Sequence, residues 1–186
     1  FVVIAASALA ALRQLRHMSG SNQITALTEC RETLESRDFR EAQRFVSFTL
    51  PERLKDPAEC MKFARIPLVG EYEAIDRVAN FFEAMGLFVK VGVIDRDIAC
   101  DSWSYVVLRN WTALLPVTTY VREAAGTGSL WENFEYLALL CQRYDAEHPS
   151  TYPRDLPRMP KDTSLMDAIK EQRASLEAVP DVRRSP

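Results

Sequence analysis

Histidine is almost missing from this chain: only His17 and His148 occur among 186 residues. A Ser-His-Asp or Cys-His arrangement needs one of them folded back onto a core, so nucleophilic catalysis of that kind is set aside. A histidine zinc site fails for the same reason. The four cysteines, Cys30, Cys60, Cys100 and Cys141, contain no Cys-x-x-Cys pair, which excludes a zinc knuckle or a thioredoxin-type motif. Neither G-x-x-x-x-G-K nor G-x-G-x-x-G is present, so the sequence has no phosphate-cradling loop. A basic excess is absent as well: 23 Lys and Arg stand against 26 Asp and Glu, a net charge of −3. A nucleic-acid binder needs cationic surface to neutralise phosphates, and nucleic acid is therefore not an expected partner. Glycine is scarce, at 6 residues, which leaves little material for tight hairpins and leans the chain towards helices.

What remains is a hydrophobic share of 47 %, normal for a globular chain and sufficient for a core. The apolar residues recur at intervals of three and four. Tyr72, Ile75, Val78, Ala79, Phe82 and Met85 form one such stripe, predicting an amphipathic helix stopped by Gly86 at its C′ position. Leu87 to Ile94 reads as a tight connector. Asp95 caps a second helix, with Trp103, Val107, Trp111, Leu114 or Leu115, and Thr118 on its stripe. After a Gly126-Thr127-Gly128 loop, Ser129 is the expected cap of a third, carrying Trp131, Phe134, Leu137, Ala138, Cys141 and Tyr144. Upstream, Ile24, Leu27, Arg31 and Leu34 share one stripe. Ser36 is the expected cap of a helix holding Phe39, Ala42, Phe45, Val46 and Thr49 and ending at Pro51. The cysteines sit among apolar neighbours and read as buried free thiols, although their spacing leaves a pairing open.

Two terminal segments differ from this core. Residues Phe1 to Leu12 are uncharged, with Phe1, Val2, Val3, Ile4, Leu9 and Leu12 as the apolar candidates for a membrane anchor. A dozen residues are fewer than the ~20 a spanning helix needs. The segment therefore reads as the inner part of a transmembrane helix, or else as a signal-peptide remnant or buried helix. Arg13, Arg16 and His17 come next as the membrane-interface candidates, and the positive-inside tendency then places the rest of the chain in the cytoplasm. At the other end, prolines 149, 153, 157 and 160 predict an extended, partly polyproline-like tail. Asp162 or Thr163 caps a short final helix with Leu165, Met166, Ile169 and Leu176. Such a tail buries little by itself, and Tyr152, Pro153, Leu156, Pro157, Met159, Leu165, Met166 and Ile169 are the candidate residues for docking a partner.

Polar chemistry within the core is sparse. Asp95, Asp97 and Asp101 lack the glycine and glutamate of a calcium loop, since Cys100 and Val106 occupy those positions, and helix capping accounts for them. Asp76, Arg77 and Asn80 on one predicted helix and Arg109 and Asn110 on the next form a candidate polar seam, most simply a set of structural hydrogen bonds. No catalytic residue, cofactor or metal ligand is expected.

The runs N-F-F-E-A-M-G-L-F-V-K-V-G-V-I-D (Asn80 to Asp95), W-S-Y-V-V-L-R-N-W (Trp103 to Trp111) and W-E-N-F-E-Y-L (Trp131 to Leu137) resemble a bacterial family of small membrane-anchored helical proteins known only as a domain of unknown function. The resemblance covers about Ala11 to Tyr144. It implies an N-terminal transmembrane helix, a short basic exit and a helical cytoplasmic domain at the inner membrane, and it implies no activity.

The expected organisation is all-α: an anchor over residues 1–17, a helical bundle over 18–146 and a Pro-rich tail with a terminal helix over 147–186. The expected role is a non-catalytic interaction module, a structural or accessory subunit of a membrane complex such as a respiratory or photosynthetic assembly. Its partners are then the membrane and other protein subunits. The alternatives are a transient signalling adaptor, or a small-ligand binder or enzyme using carboxylates and arginines.

Overall fold

The stripe from Ile75 to Met85 forms the buried face of a helix in a computed structural model that describes residues 20–64 and 66–177, with side chains to residue 174. The candidate anchor and its flank, Phe1, Val2, Val3, Ile4, Leu9, Leu12, Arg13, Arg16 and His17, lie outside the described residues. The described elements are all helical, with no strand. They are α1 (residues 20–35), α2 (Arg37–Arg44), α3 (Leu50–Arg53), α4 (Pro57–Cys60), α5 (Glu73–Lys90), α6 (Arg96–Ala125), α7 (Glu132–Glu147) and α8 (Ser164–Glu177). They divide into two compact units between Thr151 and Tyr152, against the boundary at 146/147 drawn from the sequence.

In the first unit α7 lies against both α5 and α6, and α2 packs on α5. The aromatic centre is shared by four helices. Phe82 stacks on Phe134 at 4.9 Å between ring centroids, Phe39 meets Phe81 edge-on at 4.7 Å, and Trp111 meets Phe134 edge-on at 5.0 Å. Such pairs contribute beyond their area, by roughly 0.5–1.5 kcal/mol each. Ile75, Val78, Phe82, Leu114, Phe134 and Leu137 are fully buried. Cys30, Cys100 and Cys141 are buried free thiols and Cys60 is half-buried.

Two caps form where polar residues precede the apolar stripes. Ser36 Oγ accepts from the Phe39 amide at 3.3 Å, and Asp95 Oδ1 accepts from the amides of Asp97 and Ile98 at 2.9 and 3.1 Å. At the far end of α6, Gly126 takes the left-handed conformation that closes the helix.

Four local expectations are overturned. Gly86 does not end α5, which runs on through it to Lys90; it is the point where α5 and α7 touch. A Cβ there would lie 2.1 Å from the Asn133 carbonyl oxygen, so absence of a side chain, not a turn, is what the position requires. Pro51 does not end the helix begun at Arg37 either. The chain widens into a π-helical turn over Phe45–Thr49, with the Leu50 amide bonding to the Phe45 carbonyl, and Pro51 falls in the first turn of α3. In a regular α-helix its ring would strike the Ser47 carbonyl, and the wider turn avoids this.

Ser129 does not cap α7. Trp131 occupies that place in a left-handed conformation, φ 55°, and Glu83 of α5 supplies the missing acceptor, taking bonds from the Phe134 amide at 2.9 Å and Asn133 Nδ2 at 2.7 Å. In α1, Ala26 and Cys30 are buried while Ile24 and Arg31 are exposed, so the inward stripe is rotated from the expected one.

In the second unit, Tyr152 Oη donates to the Pro157 carbonyl at 3.0 Å and the Arg158 guanidinium lies 4.3 Å from the Tyr152 ring centre. This part of the tail thus contains a local turn rather than a plain extended strand. Asp162 Oδ1 accepts from the Ser164 amide at 3.0 Å and opens α8.

Candidate functional site

The expected polar seam does not assemble. Asp76 Oδ2 accepts from the Leu68 amide at 2.8 Å, and burial pushes its carboxyl above the usual range, with that amide bond opposing the shift. Asn80 Oδ1 accepts from Trp131 Nε1 at 2.9 Å, fixing the left-handed residue ahead of α7. Arg77 is exposed. Arg109 and Asn110 face another neighbour, the π turn of the α2 segment, because the residues of α5 are already committed to the loops before α5 and α7.

That neighbour creates a concavity in the first unit. A cleft of about 310 Å³ lies between α2, the π turn and α6. Arg40, Gln43 and Arg44 line it from α2, Ser47 and Phe48 from the π turn, and Tyr105, Val106, Arg109 and Asn110 from α6. The π turn sets Val46 and Leu50 into the core while Phe48 stays 68 % exposed, which places an aromatic wall at the cleft. The Arg109 guanidinium lies 5.7 Å from the centre of the Phe48 ring, a cation–π contact worth about 0.5–1 kcal/mol at an exposed site. Single π-helical turns within helices recur at functional sites.

The electrostatics of the cleft are one-sided. Among the described residues no ion pair reaches Arg40, Arg44 or Arg109. Glu41, the acidic residue between the first two in sequence, is held by Arg37 at 2.8 Å, and that bond keeps its carboxyl below the ordinary range. At the base of the cleft Asn110 is 2 % exposed. Its amide nitrogen donates to the Val106 carbonyl at 2.8 Å, while its buried Oδ1 has no partner among the described residues. An orphaned buried acceptor costs roughly 1–3 kcal/mol.

Of these lining residues, sequence reasoning singled out only Arg109 and Asn110. A signal for the others existed. Arg40 and Arg44 stand four apart, a like-charge spacing that disfavours a helix, and Pro51 lies within a helical stretch.

The tail candidates are brought to the surface. Pro153 and Pro157 are exposed, as are Tyr152, Leu156 and Met159, and on α8 Leu165, Met166 and Ile169 are 71, 59 and 46 % exposed. Elsewhere, Cys141 Sγ donates to Cys100 Sγ at 3.7 Å; this bond and burial both push the Cys141 thiol up. Among the described residues no three His, Cys, Asp or Glu side chains gather into a metal-holding group, and no helix is long and apolar enough to cross a membrane.

The chain belongs to the family described as a domain of unknown function (DUF4760), whose match spans residues 1–140. It therefore covers the first unit to the middle of α7 and stops short of the tail. No curated protein and no solved structure matches the chain.

Proposed function

We propose that this protein is a membrane-anchored, non-catalytic helical interaction module, a structural or accessory subunit of a larger bacterial membrane complex, which docks a protein partner through its C-terminal unit. The observation that carries the reading is the exposed apolar face of α8. Leu165, Met166 and Ile169 stand at i, i+1 and i+4 and are all exposed, the spacing by which an amphipathic helix enters an apolar groove. A lone helix of 14 residues is marginal in water, and a groove that covers this face stabilises it. The partner that suits it is another protein subunit with an apolar channel, since α8 carries charges of both signs, Asp167, Lys170, Glu171 and Arg173, on the same helix. Anchoring rests on the uncharged run Phe1 to Leu12 and its basic exit at Arg13 and Arg16, which favours a cytoplasmic placement of the helical units.

The test is native extraction in mild detergent. The full chain should co-migrate at a fixed ratio with a membrane subunit identified by mass. The double variant Leu165→Asp/Ile169→Asp should leave that complex while keeping the cooperative melting of the first unit. A complex indifferent to both substitutions, or a chain washed from membranes by alkaline carbonate, overturns the docking or the anchoring part respectively.

A further inference from the structure

The cleft between the π turn and α6 carries an inference separate from partner docking. Three guanidinium groups, Arg40, Arg44 and Arg109, line one small concavity, and no carboxylate among the described residues lies within ion-pair distance of them; Glu41, bonded to Arg37, attracts Arg44 only from farther off. Arg40 and Arg44 repel along the helix, and a cluster of this kind is stabilised by an anion placed among its members. Guanidinium forks match phosphate and carboxylate oxygens two at a time. The cleft is not only charged: Phe48 and Tyr105 stand 68 and 73 % exposed beside the arginines, offering faces for a planar or apolar group. The second, independent observation is Asn110, nearly wholly buried, lining the same cleft and holding an unpartnered acceptor, Oδ1. A hydroxyl or amino donor on a ligand, or a water bound with it, satisfies that atom. The volume, about 310 Å³, stands at the lower end of the range for small-molecule sites.

We propose that this cleft is a binding site for a small organic oxyanion, a phosphate or carboxylate carried on an aromatic or apolar body. Arg44, Arg40 and Arg109 hold the anion, Phe48 and Tyr105 flank the body, and Asn110 accepts from a donor at the base. The π turn is the device that makes the site, since it presents Phe48 beside Arg109 while Val46 and Leu50 remain in the core.

The experiment is calorimetric titration of the full chain with phenyl phosphate, benzoate, inorganic phosphate and hexaglutamate. Saturable binding of phenyl phosphate or benzoate, at least about tenfold tighter than inorganic phosphate, is expected, and the preferred compound tells phosphate from carboxylate. Arg44→Gln and Arg109→Gln should each weaken it by about tenfold or more, the size of a lost charge-assisted bond. Both residues are exposed and form no ion pair among the described residues, so the melting curve should move little, by no more than loss of the exposed Arg109–Phe48 contact accounts for. Arg173→Gln on α8 should change nothing. No saturable binding by either aromatic anion overturns the proposal. So does equal affinity for inorganic phosphate, equal weakening by Arg173→Gln, or binding of hexaglutamate alone, which would mark an acidic protein segment as the occupant.

Discussion

In the unit that ends at Thr151, Phe39, Phe82 and Phe134 are sealed from solvent, whereas beyond Tyr152 the apolar residues Met159, Leu165 and Met166 are each more than half exposed. The residue types are alike and the helical spacing is alike. What differs is the crossing partner. α5, α6 and α7 each bury an apolar stripe against a neighbouring helix, and four helices converge on the Phe82–Phe134 stack. Among the described residues of the second unit, α8 follows a short proline-rich turn and no other helix. An apolar stripe on a helix therefore predicts burial only when another stripe is available to cover it.

That contrast is most sharply tested by truncating one residue on each side. Phe82→Ala should cost about 3–5 kcal/mol, the usual range for a fully buried phenylalanine, while Leu165→Ala should stay within about 0.5 kcal/mol in the unliganded chain. Equal losses in chemical denaturation would mean that α8 is packed rather than exposed.

A somewhat smaller loss is expected from adding an atom. Gly86→Ala drives a methyl into the backbone of Asn133, and overpacking of this kind costs about 1–3 kcal/mol. The contact is with a carbonyl rather than a flexible side chain, so the upper end applies, and the denaturation midpoint reads it directly. Glu83→Ala comes next. It strips the acceptor from the start of α7, and loss of a helix cap costs roughly 1 kcal/mol; faster amide exchange at Phe134 should accompany it.

A milder effect is confined to alkaline pH. Burial, aided by the bond to Glu59, pushes the Tyr72 hydroxyl up to about 12 from its ordinary 10. The folded state thus keeps a proton that the unfolded chain has already lost. The corresponding stability is fully present below pH 10 and disappears as pH rises from about 10 to 12. Tyr72→Phe should remove this part of the alkaline fall in melting temperature, and an unchanged profile would mean that the hydroxyl is not protected. The smallest effect belongs to the tail. Deleting everything beyond Thr151 should leave the melting of the first unit within about 0.5 kcal/mol of the full chain. Loss of its helical signal would show that the tail is part of that core.

Much of the first unit is legible in the sequence because its signals are local. The stripes of α5, α6 and α7 can be read residue by residue, as can the caps at Ser36 and Asp95, since a side chain three residues from the amides it serves needs no knowledge of the rest of the chain. The failures have a common cause. Gly86 looks like a helix end because glycine commonly is one, and only Asn133, far along the chain, reveals it as a crossing point. Ser129 looks like a cap until Glu83 arrives from another helix. The seam of Asp76, Asn80 and Arg109 combines residues that face three different neighbours.

The cleft lies at the far end of this scale. Arg40, Phe48 and Arg109 acquire a joint meaning only through the register shift of the π turn and the way it meets α6.

Composition and periodicity by themselves determined an all-helical chain, the inward faces of its three long helices, and the change of character after α7. They did so because hydrophobic burial and capping act over one or two turns. Which helix crosses which, where backbones come into contact, and which charges are left without a counterion were decided by the tertiary structure alone, because those terms depend on distances between residues that the chain order keeps far apart.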